Sequence, residues 1–397
     1  MTVMTPLFQA EQAVLGAVLL EPSQLGRLSD WLRPEHFYRP AHAALYAAML
    51  DLRAEAHPAT TAPPDAPVPL TWVNDTLARA STHTRGITAS FMHSLVSACP
   101  RPAHAPIYGR MVLEGAIQRS VTEHAVRLHQ AARTDAERGM GVAETLRHAQ
   151  VLADVLDDLG RRWGSESRAA RPATPPTAPA APARVDERVL ADEESILGTL
   201  SAYPQQLGDV VGWLRPEDFT DPGHGQIYRA LGALHHRGEP VDQLTVLWEC
   251  QRRGALADGT LEADRVRHLC GTAAGGSAGY FGAHILDASL LRTAAASAQH
   301  IRGLAGNEAL APGQLISQAR TALAPLDQAR QRWAAADAGP GTAPAQTETP
   351  TAPPPARAAA ARARSSTPQS GNVVPHTPAA TAPAPSPSAK PETARAR

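Results

Sequence analysis

Lysine is all but missing from this chain. Lys390 is the single one in 397 residues, and arginine supplies every other fixed positive charge. A phosphate-binding loop of the GxxxxGK[ST] kind needs a lysine to reach the outer phosphates of a nucleotide. Lys390 sits in "PSAKPE" with no glycine-rich loop before it, so no such loop is legible. Cysteine is scarce too: Cys99, Cys250 and Cys270 form no CxxC spacing, which reads as reduced thiols rather than a disulfide framework. Aromatics make up only 4% of the chain. No apolar run approaches the roughly 20 residues needed to span a bilayer. The apolar stretch in "MTVMTPLFQAEQAVLGAVLL" has no basic residue before it, which predicts no secretory leader and a cytoplasmic or nucleoid-associated protein. The formal net charge of −1 points to no particular partner.

Two segments lack large apolar groups. Residues 164–185, "GSESRAARPATPPTAPAAPAR" and the valine after it, hold almost nothing that offsets the entropy of ordering. They read as a Pro/Ala-rich linker, about 20 residues at about 3.1 Å each, with a reach of roughly 60 Å. Residues 334–397 read as a disordered Pro/Ala/Arg-rich tail. From Ala352 onward the tail carries six basic residues against one acid, Glu392. That surplus raises nucleic acid as a partner, beside the plainer role of a solubilising extension. Two blocks remain, 8–163 and 186–333, each long enough for a core of its own.

Those blocks repeat one another. Glu11 to Tyr46 aligns with Glu193 to Tyr228 without a gap, at an offset of 182, and 16 of the 36 positions are identical. "WLRPEHFYRPAH" at Trp31 returns as "WLRPEDFTDPGH" at Trp213. Apolar residues recur at spacings of three and four, as in Val14, Leu15, Val18 and Leu19, or Ile227, Leu231 and Leu234. This is a helical period, broken at Pro22 and Pro204. The Leu-Arg-Pro-Glu step predicts a tight turn with proline opening a short helical turn, and Phe37 and Phe219 are expected as plugs between helices. Each copy then carries a two-helix pattern, an αα-hairpin with an apolar seam. The candidate interface residues are Leu146, Leu152, Leu156, Leu159 and Trp163 in the first copy, and Leu315, Leu323, Leu326 and Trp333 in the second. The fold class is all-α: two tandem helical-bundle domains, each followed by a hairpin.

Both copies resemble the N-terminal domain of DnaB-type replicative DNA helicases. The likeness rests on "AEQAVLGAVLLEP", "WLRPEHFYRPAHAALYAAM" and "YGRMVLEGAIQR" in copy one. In copy two it rests on "DEESILGTL", "WLRPEDFTDPGHGQIYRAL", "RGEPVDQLTVLWECQRRGAL" and "YFGAHILDASLLR". After Leu52 copy one departs from the pattern, with "EAHPATTAPPDAP" where copy two keeps Gly238, Glu239 and Pro240, and that loop is expected to be disordered. The resemblance implies a collar rather than a motor, built by pairing hairpins and presenting a surface to a replicative helicase, primase or loader. The motor of that family is a separate RecA-like domain with a phosphate-binding loop. A chain without the loop's lysine is expected to hydrolyse no nucleotide by itself.

Other readings are weaker. "GGSAG" around Ser277 fits G-x-S-x-G, but a nucleophile elbow needs a strand before it and a helix after it, and "ADRVRHLCGTAA" precedes it. His42 and His224 recur where a helix begins after a proline, and a capping or packing role is expected. Trp31 and Trp213 sit between apolar stripes and are expected in the core. No HExxH or Cys/His cluster appears, so neither metal nor cofactor nor catalytic residue is assigned. The hairpin seams are the feature that demands a partner, because an isolated two-helix arm would leave a large apolar patch in water. That partner is either the other hairpin of the same chain or another chain.

Overall fold

A computed structural model describes residues 5–63, 70–139, 141–163, 186–257, 259–272 and 275–337. The linker expected over 164–185 lies outside these residues, as does the expected tail beyond Asp337. The regular secondary structure of the described residues is all helical, with no strand among them. The first copy holds α1 (Pro6–Leu20), α2 (Pro40–Ala54), α3 (Leu70–His83), α4 (Ala89–Ala98), α5 (Ala105–Arg138) and α6 (Ala143–Trp163). The second holds α7 (Glu187–Ala202), the single turn α8 (Leu207–Val210), α9 (Pro222–Arg237), α10 (Gln243–Arg252), α11 (Ala263–Gly271), α12 (Ala278–Ala305) and α13 (Pro312–Asp337). Residues 334–337, assigned to the tail from sequence, are the last turn of α13.

Local chemistry sets the helix ends. Thr5 caps α1 by accepting from Phe8 N at 3.3 Å, and Pro6 opens the first turn. Asp221 caps α9 by accepting from Gly223 N at 2.7 Å, and Gly238 closes it in a left-handed conformation at φ 65°. The Leu-Arg-Pro-Glu steps form 3-10 turns at Pro34–His36 and Pro216–Asp218. Phe37 and Phe219 are buried just after them, with ring centroids 5.0 Å from Tyr46 and 5.1 Å from Tyr228.

Each bundle has its own core. Val14, Leu15, Val18, Leu28, Leu32, Leu45 and Met49 close around Trp72 in the first, and Ile196, Leu197, Leu207, Leu214, Ile227 and Leu231 occupy the second. Full burial of each such side chain contributes about 1.5–3 kcal/mol. Trp31 and Trp213 are half-buried at the edge of these cores. Each indole N–H donates to a backbone carbonyl four residues back, Arg27 O and Asp209 O. Each ring lies on a helix glycine, Gly109 of α5 or Gly282 of α12, where a Cβ would come within 2.8 and 2.7 Å of it.

One expectation is corrected here. The loop after Leu52 is ordered as far as Pro63. It contains a 3-10 turn, Pro58–Thr60, and Ala59 is buried in the first core. His57 anchors it, lying 3.3 Å from Asp75 Oδ2 and packing its ring against Trp72 at 5.4 Å. The expected disorder does not extend to residues 55–63, where Ala59 is buried in the first core and His57 packs beside it. Residues 64–69 of that loop lie outside the described residues.

Candidate functional site

A third core belongs to neither bundle. α5 and α12 run out of their bundles as continuous helices, and α6 and α13 fold back along them. At the first hairpin tip, Gly139 ends α5 at φ 62° and Gly141 follows at φ 90°. The buried carboxylate of Asp135 then accepts from Thr145 N at 2.9 Å and Thr145 Oγ1 at 2.8 Å, which ties the tip together. In the second hairpin Pro312 opens α13, where a missing N–H costs nothing.

The two hairpins pack on each other within the chain. Ile117, Val121, Leu128, Leu152 and Leu156 of the first copy share one buried cluster with Leu290, Ala298, Ile301, Leu315, Leu323 and Leu326 of the second. Small residues on α12, Ala294, Ser297 and Ala298, let it lie close against α5. Polar contacts cross the same interface. Gln299 Nε2 is 3.0 Å from His129 Nε2, Arg320 pairs with Asp157 at 2.6 Å, and Arg330 donates to Gln150 Oε1 at 2.8 Å.

The candidate interface residues therefore come together in this arm. Leu152 and Leu156 are fully buried, Leu315, Leu323 and Leu326 nearly so, and Leu146 and Leu159 are half-buried against the same cluster. Trp333 is half-buried where the arm meets the second bundle, and its indole donates to Asp287 Oδ1 at 2.7 Å. Trp163 ends α6; its side chain lies outside the described residues. Within this chain, each seam is covered by the other hairpin.

Beneath the arm, each bundle holds a buried pair that sequence reasoning missed. Glu11 Oε2 lies 2.7 Å from His42 Nδ1, and Glu193 Oε2 lies 2.8 Å from His224 Nδ1, all four side chains being essentially inaccessible to water. Neither histidine caps its helix. The glutamates also accept backbone N–H groups from the turn before it, Tyr38 N in one copy, Thr220 N and Asp221 N in the other. The pair thus fixes the entry to α2 and α9 against α1 and α7. The available signal was that both residues recur, 31 apart, among the sixteen identities.

No catalytic arrangement emerges among the described residues. Ser277 stands just before α12, preceded by α11 and loop rather than by a strand. No group of three or more His, Cys, Asp or Glu could hold a metal ion among those residues. Burial pushes the Cys250 thiol up to about 12 and raises Cys270 and Cys99 as well, so these thiols stay protonated. No helix among the described residues is long and apolar enough to cross a membrane.

Comparison with known proteins points to a single family. The family model described as "DnaB-like helicase N terminal domain" matches residues 5–114 and again 186–268. The replicative DNA helicase DnaB of Mycobacterium leprae is 35% identical over 148 residues, 37% of this chain and 22% of that protein. That of Geobacillus stearothermophilus is 35% identical over 122 residues, 31% of this chain and 25% of that protein. The chain thus spans about a quarter of the length of the curated relatives it matches. A crystal structure of the N-terminal domain of DnaB helicase from Mycobacterium tuberculosis is 31% identical, covering 34% of this chain and 94% of that one, with a TM-score of 0.30. This chain carries the DnaB-like helicase N-terminal domain twice, once in each of its two bundles.

Proposed function

We propose that this protein is a non-catalytic, replication-associated scaffold, a collar piece that docks onto a replicative helicase, primase or loader. The observation that carries the reading is the shared core of the arm: both hairpins are retained and they complete each other inside one chain. On this reading one chain does what two collar subunits do together, and it brings no engine of its own. Each bundle then presents an outer surface to a partner while the arm holds the two at a set spacing.

The test mixes the purified full chain with the replicative helicase, primase and loader of its own cell and follows complex formation by light scattering. A complex with one of them, together with no nucleotide hydrolysis by the chain alone, is the expected result. Turnover of ATP by the chain alone, or no complex with any of the three, overturns the proposal. Changing both Leu152→Asp and Leu156→Asp places charge in the arm core, where an unpaired carboxylate is very costly. Loss of the complex alongside loss of arm helicity is expected; a complex of undiminished affinity would show that the arm does not carry the function.

A further inference from the structure

We propose that the second bundle is clamped to the four-helix arm while the first is hinged on it, and that the corner residue, Asp218 against His36, makes the difference. The two stand at the same place in the repeated phrase. In the second copy the buried Asp218 carboxylate binds both helices of its hairpin. Ser289 Oγ of α12 donates to Oδ1 at 2.7 Å, and Arg332 of α13 donates to Oδ2. Arg332 also donates to Trp213 O at 3.3 Å, and its side chain is only 16% exposed. An ionic tie of this kind, short and shielded from water, is stronger than a surface pair.

The first copy keeps the arginine but not the tie. The glycines under the two tryptophans align α5 with α12, and Trp163 and Trp333 align α6 with α13. By that alignment Ala116 stands for Ser289 and Arg162 for Arg332. Arg162 is 57% exposed and pairs with Asp158 of its own helix at 2.9 Å. The His36 ring offers it nothing, because Nδ1 already accepts from Arg33 N at 3.1 Å. Burial, aided by Arg33, Arg162 and Arg119 and opposed by Glu35, holds the imidazole below its ordinary range, hence uncharged. One tie is common to both copies: Arg119 donates to His36 O, as Arg292 donates to Asp218 O.

Paired spin labels test the inference in the full chain with its three cysteines replaced by alanine. One label goes on the arm at Thr321, the other on the first bundle at Ser94 or on the second at Gln251. The expected distance distribution is broad for Ser94–Thr321 and narrow for Gln251–Thr321. His36→Asp should narrow the first by recruiting Arg162. Arg332→Gln, which leaves Asp218 bonded to Ser289, should broaden the second. Equal widths in the parent chain, or a His36→Asp chain whose Ser94–Thr321 distribution is unchanged, overturns the proposal.

Discussion

The two bundles keep one buried pair and surround it differently. In the first, His42 lies between the rings of Phe8 and Phe91, stacked at 5.7 and 5.9 Å, and its Nε2 has no hydrogen-bond partner among the described residues. In the second, Arg265 reaches His224 Nε2 at 2.9 Å and Asp221 at 2.7 Å. A guanidinium only donates, so His224 Nε2 accepts and Nδ1 carries the proton toward Glu193. Duplication therefore kept the joint and let its lining drift, apolar in one copy and ionic in the other. What both copies hold constant is the buried glutamate that binds the histidine and orients the turn.

The strongest challenge to that comparison is to remove the shared element. Glu11→Ala and Glu193→Ala each strand a buried imidazole and the turn N–H groups, and each should cost about 3–5 kcal/mol. Urea unfolding followed by circular dichroism measures both. A large loss in one bundle and none in the other would mean the pair is not the common joint. The next effect separates the linings. Phe91→Ala should cost the first bundle about 2 kcal/mol, since Phe91 is only half-buried. Arg265→Met should cost the second about 1 kcal/mol. Raising the salt concentration should shrink the Arg265 effect and leave the Phe91 effect unchanged. The smallest effect is in pH. His36 titrates below its ordinary 6.5 in the folded chain because it is buried. The unfolded chain then takes up the proton first, so this contribution to stability is intact above pH 6.5 and is lost as pH falls through the lowered value. His36→Asn should make the loss of stability below pH 6.5 shallower, as read from melting temperature against pH.

The all-α class and the helical stripes of the repeat were legible because apolar spacing and proline breaks act locally, whereas α3, α4, α10 and α11 were not read individually. The seams of α6 and α13 were legible for the same reason: Leu152, Leu156, Leu315 and Leu326 share faces at helical spacing. The partner of those seams was not legible, since a leucine stripe has the same chemistry whether its mate is in the same chain or another. The Glu–His joint escaped because single charged residues usually mark a solvated face, and only their joint recurrence sets them apart. Gly109 and Gly282 were equally silent: their role depends on which ring crosses them, and that is a property of packing. Around Ala59, composition suggested a disordered loop where one methyl group is buried in the first core.

The central claim is that the two hairpins complete each other within a single chain, and cross-linking tests it most directly. His129→Cys and Gln299→Cys, placed in a chain lacking its native cysteines, face each other across the arm and take a short bismaleimide. In a mixture of tagged and untagged chains, the account predicts cross-linked product of single-chain mass alone. Product of double mass containing one tagged and one untagged chain would show that the arm is built between molecules, and would contradict it.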